Sequence, residues 1–166
     1  MTEPLGSRVR AANFDFLLGA WRVRNRRIDD LLSDEGRPWD EFESIVTARS
    51  ILGGGGVLDR YEFPDFPGRG RFYGVCVRLV HPPTDRWKVW WASSTSGGLL
   101  DPPVVGGFVD GKGIFHGDDS YGSHPVKVRT CYSSITPVFF RWEQTFSFDG
   151  GRSFQADWIM EFERVG

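Results

Sequence analysis

The tightest constraint on this chain lies in two strand-like runs near its end, 139–148 and 153–163, joined across Asp149-Gly150-Gly151. Pairing Phe148 with Phe154 puts Trp142, Gln144, Phe146 and Phe148 on one face with Phe154, Ala156, Trp158, Met160 and Phe162. The other face then carries Arg141, Glu143 and Thr145 against Asp157, Ile159 and Glu161, with Arg141 opposite Glu161. Successive strand residues point to opposite sides, so a slip of one residue would mix the apolar and polar sets. An antiparallel hairpin with one side on a core follows.

The rest of the chain repeats this pattern. Strand-like runs are read at 20–28, 39–52, 57–63, 70–80, 86–94, 104–109, 113–120 and 125–133, before the two above. Turn signals separate them: GGGG at 53–56, HPPTD at 81–85, DGKG at 110–113 and YGSHP at 121–125 among others. Short loops join antiparallel neighbours, and a meander of about ten strands removes its edges by closing into a barrel. A short helical turn at 13–18, with Asn13 as its N-cap, precedes the first strand. Alternation sends Trp21, Val23 and Asn25 inward and Arg22, Arg24 and Arg26 outward. It sends Phe42, Ser44, Val46 and Ala48 inward, with Trp87, Val89 and Trp91, and with Val126, Val128, Thr130 and Tyr132. In the fourth strand, placing Arg78 in solvent turns Tyr73, Val75, Val77 and Leu79 inward. The fold class expected is all-β, a lipocalin-like barrel over 13–166 behind a flexible N-terminus at 1–12.

A net charge of −2 offers no basic field for nucleic acid. No run of 18 apolar residues spans a membrane, and 1–10 has no signal-type apolar stretch, so a cytoplasmic location is expected. Cys76 and Cys131 lack CxxC spacing and read as small buried residues of a reducing compartment, with a disulfide between them left open. A homodimer is also left open.

Gly19-Ala20-Trp21, following the helical turn and opening the first strand, resembles the G-x-W signature of calycins, in which the Trp closes one end of a barrel. FDFLLGAWRV, LDPPVVGGFVDGKGIFHGDD, RWEQTFSFDGG and DWIMEF resemble a DUF1579-type group of bacterial proteins. That resemblance implies a lipocalin-like barrel and brings no catalytic residues. Haem-binding relatives of the barrel group, the nitrobindins, use a late-strand His; 153–163 contains none, so neither haem nor another cofactor is expected.

His81 and His124 precede prolines in turns, whereas His116 is followed by Gly117, Asp118 and Asp119 within a strand. His116 and Asp118 share a face and could form a His–carboxylate pair for acid–base work; the bland alternative is a solvated strand end. No second His or Cys stands at metal-ligand spacing, so no metal is expected. The Gly run at 53–56 lacks a following Lys-Ser/Thr, and there is no G-x-S-x-G elbow. What remains is the interior: Asn25, Tyr73, Trp91, Thr130, Tyr132, Gln144 and Trp158 would line a cavity for a small, largely hydrophobic molecule. The segment 96–103 would fold over its opening. The alternatives are a cyclase or isomerase working on a hydrophobic intermediate through His116 and Asp118 or a tyrosine, and a protein-binding module with a solid core.

Overall fold

The computed structural model describes residues 12–33, 36 and 38–166, so most of the expected flexible segment 1–12 lies outside the described residues. A 3-10 turn, Ala12–Leu17, leads into β1 (Gly19–Arg27), β2 (Asp40–Ile51), β3 (Gly56–Phe66), β4 (Gly70–His81) and β5 (Arg86–Ser93). Then come β6 (Val104–Val109), β7 (Lys112–Tyr121), β8 (His124–Ser133), β9 (Phe139–Ser147) and β10 (Gln155–Arg164). Each strand pairs antiparallel with the next, and β1 pairs with β10 from Trp21↔Arg164 to Arg27↔Trp158, closing a ten-strand lipocalin-like barrel. No helix among the described residues is long and apolar enough to cross a membrane.

The lower end is solid. Phe14 and Leu17, both fully buried, plug it from the 3-10 turn. The Trp21 indole N–H donates to the Leu17 carbonyl at 2.7 Å, and the Arg164 guanidinium lies 4.2 Å over the Trp21 ring. Arg164 also donates to the carbonyls of Phe16, Leu18 and Pro137, fastening both chain segments to the rim. The Phe14 ring meets Trp87 and Phe108 edge-on at 4.9 and 5.0 Å, packing of the kind that adds about 0.5–1.5 kcal/mol per pair beyond burial.

Alternation on β1, β2, β5 and β8 is as the sequence indicates, but two strands depart from it. In the last hairpin, Arg141 faces Glu161 and Gln144 faces Trp158 in the expected register. A bulge between Ala156 and Trp158 then shifts the pairing by one, so Ala156 faces Thr145. An extra residue in one strand flips the parity of all that precedes it. Phe154 therefore leaves the interior, and the Arg129 guanidinium lies 4.0 Å over its ring. Asp157, the bulged residue, is buried instead of solvated. The β9–β10 loop helps to fix this: the Asp149 carboxylate gathers the Ser147 and Ser153 hydroxyls and the Arg152 and Ser153 N–H groups.

The second departure is β4, where the inward residues are Phe72, Cys76 and Arg78. Tyr73 is correspondingly on the outside, 47% exposed. Arg78 can be internal because Asp59, on the same face of β3, is internal too.

Candidate functional site

Above the plug the barrel encloses a cavity of about 180 Å³. Its walls are Trp91, Trp142 and Trp158 with Val89, Val128 and Met160, and its floor is Tyr61, Cys76, Arg78, Thr130 and Tyr132. The opening lies where β5 and β6 part: they pair only at 87–89, and the upper half of β5 has no partner on that side. Asp101 and Pro102 fill the gap, held by the Asp101 N–H donating to the Trp91 carbonyl at 2.7 Å. Two glycines make this arrangement feasible. A Cβ on Gly74 would stand 2.0 Å from the Trp91 ring, and one on Gly117 would stand 2.8 Å from the Pro103 carbonyl. The indole thus lies flat on β4, and 101–103 lies against β7.

The floor is a buried ionic cluster. Arg78 donates from Nε and Nη2 to the two Asp59 carboxylate oxygens at 2.9 and 2.8 Å, and from Nη1 to the Tyr132 hydroxyl oxygen at 2.5 Å. Its guanidinium also stacks 4.8 Å over Phe14, joining the floor to the plug. Burial alone would lower Arg78, but Asp59 and the neighbouring hydroxyls and thiol hold it well above its ordinary value. Burial pushes Tyr132 up to about 12 against the opposing pull of Arg78, and it likewise raises Tyr61 and the Cys76 thiol. Every titratable hydrogen at the floor is therefore retained at neutral pH.

At the upper side the Trp158 indole N–H donates to Asn25 Oδ1 at 3.0 Å, and Asn25 Nδ2 donates to Ser44 Oγ at 2.9 Å. Gln144 Nε2 donates to Asp157 Oδ1 at 3.1 Å. Burial raises Asp157 to about 6, opposed by Gln144 and Arg27. At the mouth, burial and then the nearby Asp119 carboxylate raise Asp101.

Six of the candidate site residues, Trp91, Asp118, Thr130, Tyr132, Gln144 and Trp158, border the cavity, Asp118 at the mouth beside Asp119 with its carboxylate turned to solvent. Asn25 is buried but stands behind Trp158 and orients it. Tyr73 is outside, for the parity reason given above. His116 and Asp118 share a face, but it is the outer one, because Phe115 takes the inward position between them and the plug. His116 is exposed in an outer groove with Ile114 and Arg129, and the Asp118 carboxylate, 78% exposed, is paired with Lys127. The cysteines are both free thiols; Cys76 faces the cavity and Cys131 the outer groove, so the barrel wall separates them. Asp59, Arg78, Tyr61 and Asp101 were not foreseen. The usable signal is Arg78 within the apolar run 72–80: Asp59 faces Cys76 in the β3–β4 hairpin, making Arg78 its diagonal neighbour on the same face.

Neither a protein-family model nor a curated protein sequence matches the chain. Solved structures do. An S-type phycobiliprotein lyase, CPES, from Guillardia theta superposes with a TM-score of 0.62 at 11% identity, over 98% of this chain and 99% of that one. Rv2717c from M. tuberculosis superposes with a TM-score of 0.65 at 12% identity, over 95% of this chain and 98% of that one. At such identities the likeness establishes the barrel and its end-to-end extent, and no activity.

Proposed function

We propose that this protein binds one small, largely apolar molecule inside the barrel. The observation that carries the reading is the cavity of about 180 Å³ walled by three indoles. An apolar chamber with a few polar groups is how small-molecule sites are built. Its size limits the occupant: a cavity of about 150 Å³ already takes up benzene, so one ring, or two small fused rings, fits this one. Trp91, Trp142 and Trp158 supply apolar contact, and Thr130, Tyr132 and Gln144 supply orientation. The barrel shape shared with a phycobiliprotein lyase agrees with a used interior, but that protein's activity is no part of this reading. In the same reading the chain is a DUF1579-type cytoplasmic protein whose barrel domain begins at residue 13, with no nucleic acid or membrane as partner.

The enzymatic alternative loses the His116–Asp118 pair, since His116 stands in the outer groove and the Asp118 carboxylate, at the rim of the cavity, is exposed and paired with Lys127. Native mass spectrometry of protein purified from its own host, before and after unfolding, tests the proposal. A small molecule that travels with the folded chain and leaves on unfolding is the expected result. An empty chain that also fails to take up single-ring aromatics in calorimetry overturns it.

A further inference from the structure

We infer that the molecule held in the cavity presents an uncharged carbonyl oxygen to the Tyr132 hydroxyl. This rests on the cavity being a binding site, as proposed above.

The inference follows from donors and acceptors at the floor. Arg78 has three of its N–H groups engaged, two on Asp59 and one on the Tyr132 oxygen. Tyr132 is thus an acceptor toward Arg78, and its own hydrogen must go elsewhere. No described residue accepts it, although the side chain is only 3% exposed. A buried donor requires a partner, and the open space against Tyr132 is the cavity. The strong acceptor nearby, Asp59, receives two hydrogens from Arg78 and none from Tyr132. The Arg78 bond also polarises the phenol and makes its O–H a better donor.

Charge decides which acceptor. Among the described residues lining the cavity the cation is Arg78, and it is already neutralised by Asp59, bidentate and fully buried. The mouth carries the carboxylates of Asp101 and Asp119. A carboxylate or phosphate would pass two like charges and then lose its water with no free cation among the described lining residues to replace it. An uncharged carbonyl meets neither obstacle, and unlike an alcohol it brings no hydrogen of its own to be satisfied. The ligand class is therefore a small ring compound bearing a ketone, aldehyde, amide or lactone, carbonyl down and apolar body against the indoles.

Three single-ring probes separate the cases by calorimetry on the full chain: acetophenone, ethylbenzene and benzoate. Acetophenone is expected to bind at least about tenfold tighter than either, the ratio one buried hydrogen bond gives between ligands of one shape. Tyr132→Phe should abolish the preference for acetophenone over ethylbenzene. Should that variant not fold, the infrared carbonyl stretch of acetophenone bound to the unaltered protein decides. It should fall below its value in hexane; an unshifted stretch overturns the inference. Equal binding of ethylbenzene, or tighter binding of benzoate, also overturns it while the binding reading stands. If none of the three binds, this inference fails, and the binding reading fails with it where native mass spectrometry also finds the chain empty.

Discussion

Replacing Asp59 by leucine would leave the Arg78 guanidinium, 2% exposed, without the carboxylate that neutralises it. Two routes give the size of the effect. Opposite unit charges about 4 Å apart at an effective dielectric of about 20 attract by roughly 4 kcal/mol. Removing one member of a buried pair destabilises by about 3–5 kcal/mol, because the survivor stays buried and charged. Arg78→Met should do the same from the other side, stranding Asp59. Both losses are a large share of the roughly 5–15 kcal/mol that holds a domain folded. With a urea slope of about 2 kcal/mol per molar, each single variant should unfold about 2 M earlier.

The double variant D59L/R78M is the decisive one. Both charges are then gone, the volumes are nearly kept, and apolar side chains fill a site already lined by Phe14 and Tyr132. Such replacements are commonly neutral or stabilising. The double variant should therefore unfold within about 1–2 kcal/mol of the original protein, so the two losses do not add. Urea melts followed by far-ultraviolet circular dichroism, fitted with a common slope, measure all four corners. Additive losses, or single losses below about 1 kcal/mol, would refute the claim that this pair is dry and mutually dependent.

Other consequences are quicker to check. Asp157 sits at about 6 instead of 3.8, so the folded form binds its proton more tightly than the unfolded chain does. That stability is full below about pH 4 and is lost as pH rises past 6; at about 1.4 kcal/mol per pH unit it amounts to about 3 kcal/mol. Asp157→Asn, which can still accept from Gln144, should flatten this pH dependence and melt higher than the original at pH 7.5. Gly74→Ala drives a methyl into the Trp91 ring, so it should lower stability by about 1–3 kcal/mol and weaken any ring compound bound beside Trp91, read by melting and calorimetry. A thiol reagent on the folded protein should label Cys131 while sparing Cys76, with both labelled after unfolding, as peptide mass mapping would show.

What the sequence disclosed, and what it hid, has a physical pattern. Strands such as β8 were legible because Val126, Val128, Thr130 and Tyr132 alternate with Lys127 and Arg129, and only one parity gives a dry face. In β4 both parities are mostly apolar, so the sorting fell to Arg78, and the rule that charges face water chose wrongly. The rule fails when an opposite charge lies diagonally across the hairpin, as Asp59 does, and finding it needs the β3–β4 register before the burial of either residue. The bulge at Asp157 was beyond periodicity altogether, since alternation assumes one residue per step. In β7 the His116 and Asp118 side chains point outward, and Gly113, Gly117 and Phe115 give its inner face little contrast to read.

The two halves of the barrel show that the cavity is kept open by construction. In the lower half, Phe14, Leu17, Trp87 and Phe115 collapse on one another and leave no room. The upper half has rings large enough to do the same, yet two of them are tied back against the wall: Trp158 by its hydrogen bond to Asn25, Trp91 by the bare backbone of Gly74. A space of about 180 Å³ that the protein's own side chains do not fill gives up apolar packing that the lower half of the barrel has. A buried ion pair at the floor commonly adds no more stability than leucine and methionine would. A barrel selected for stability alone would let the indoles fall inward and would exchange Arg78 and Asp59 for hydrocarbon. Holding the space open and furnishing its floor with oriented donors makes sense where a molecule restores that packing on entering.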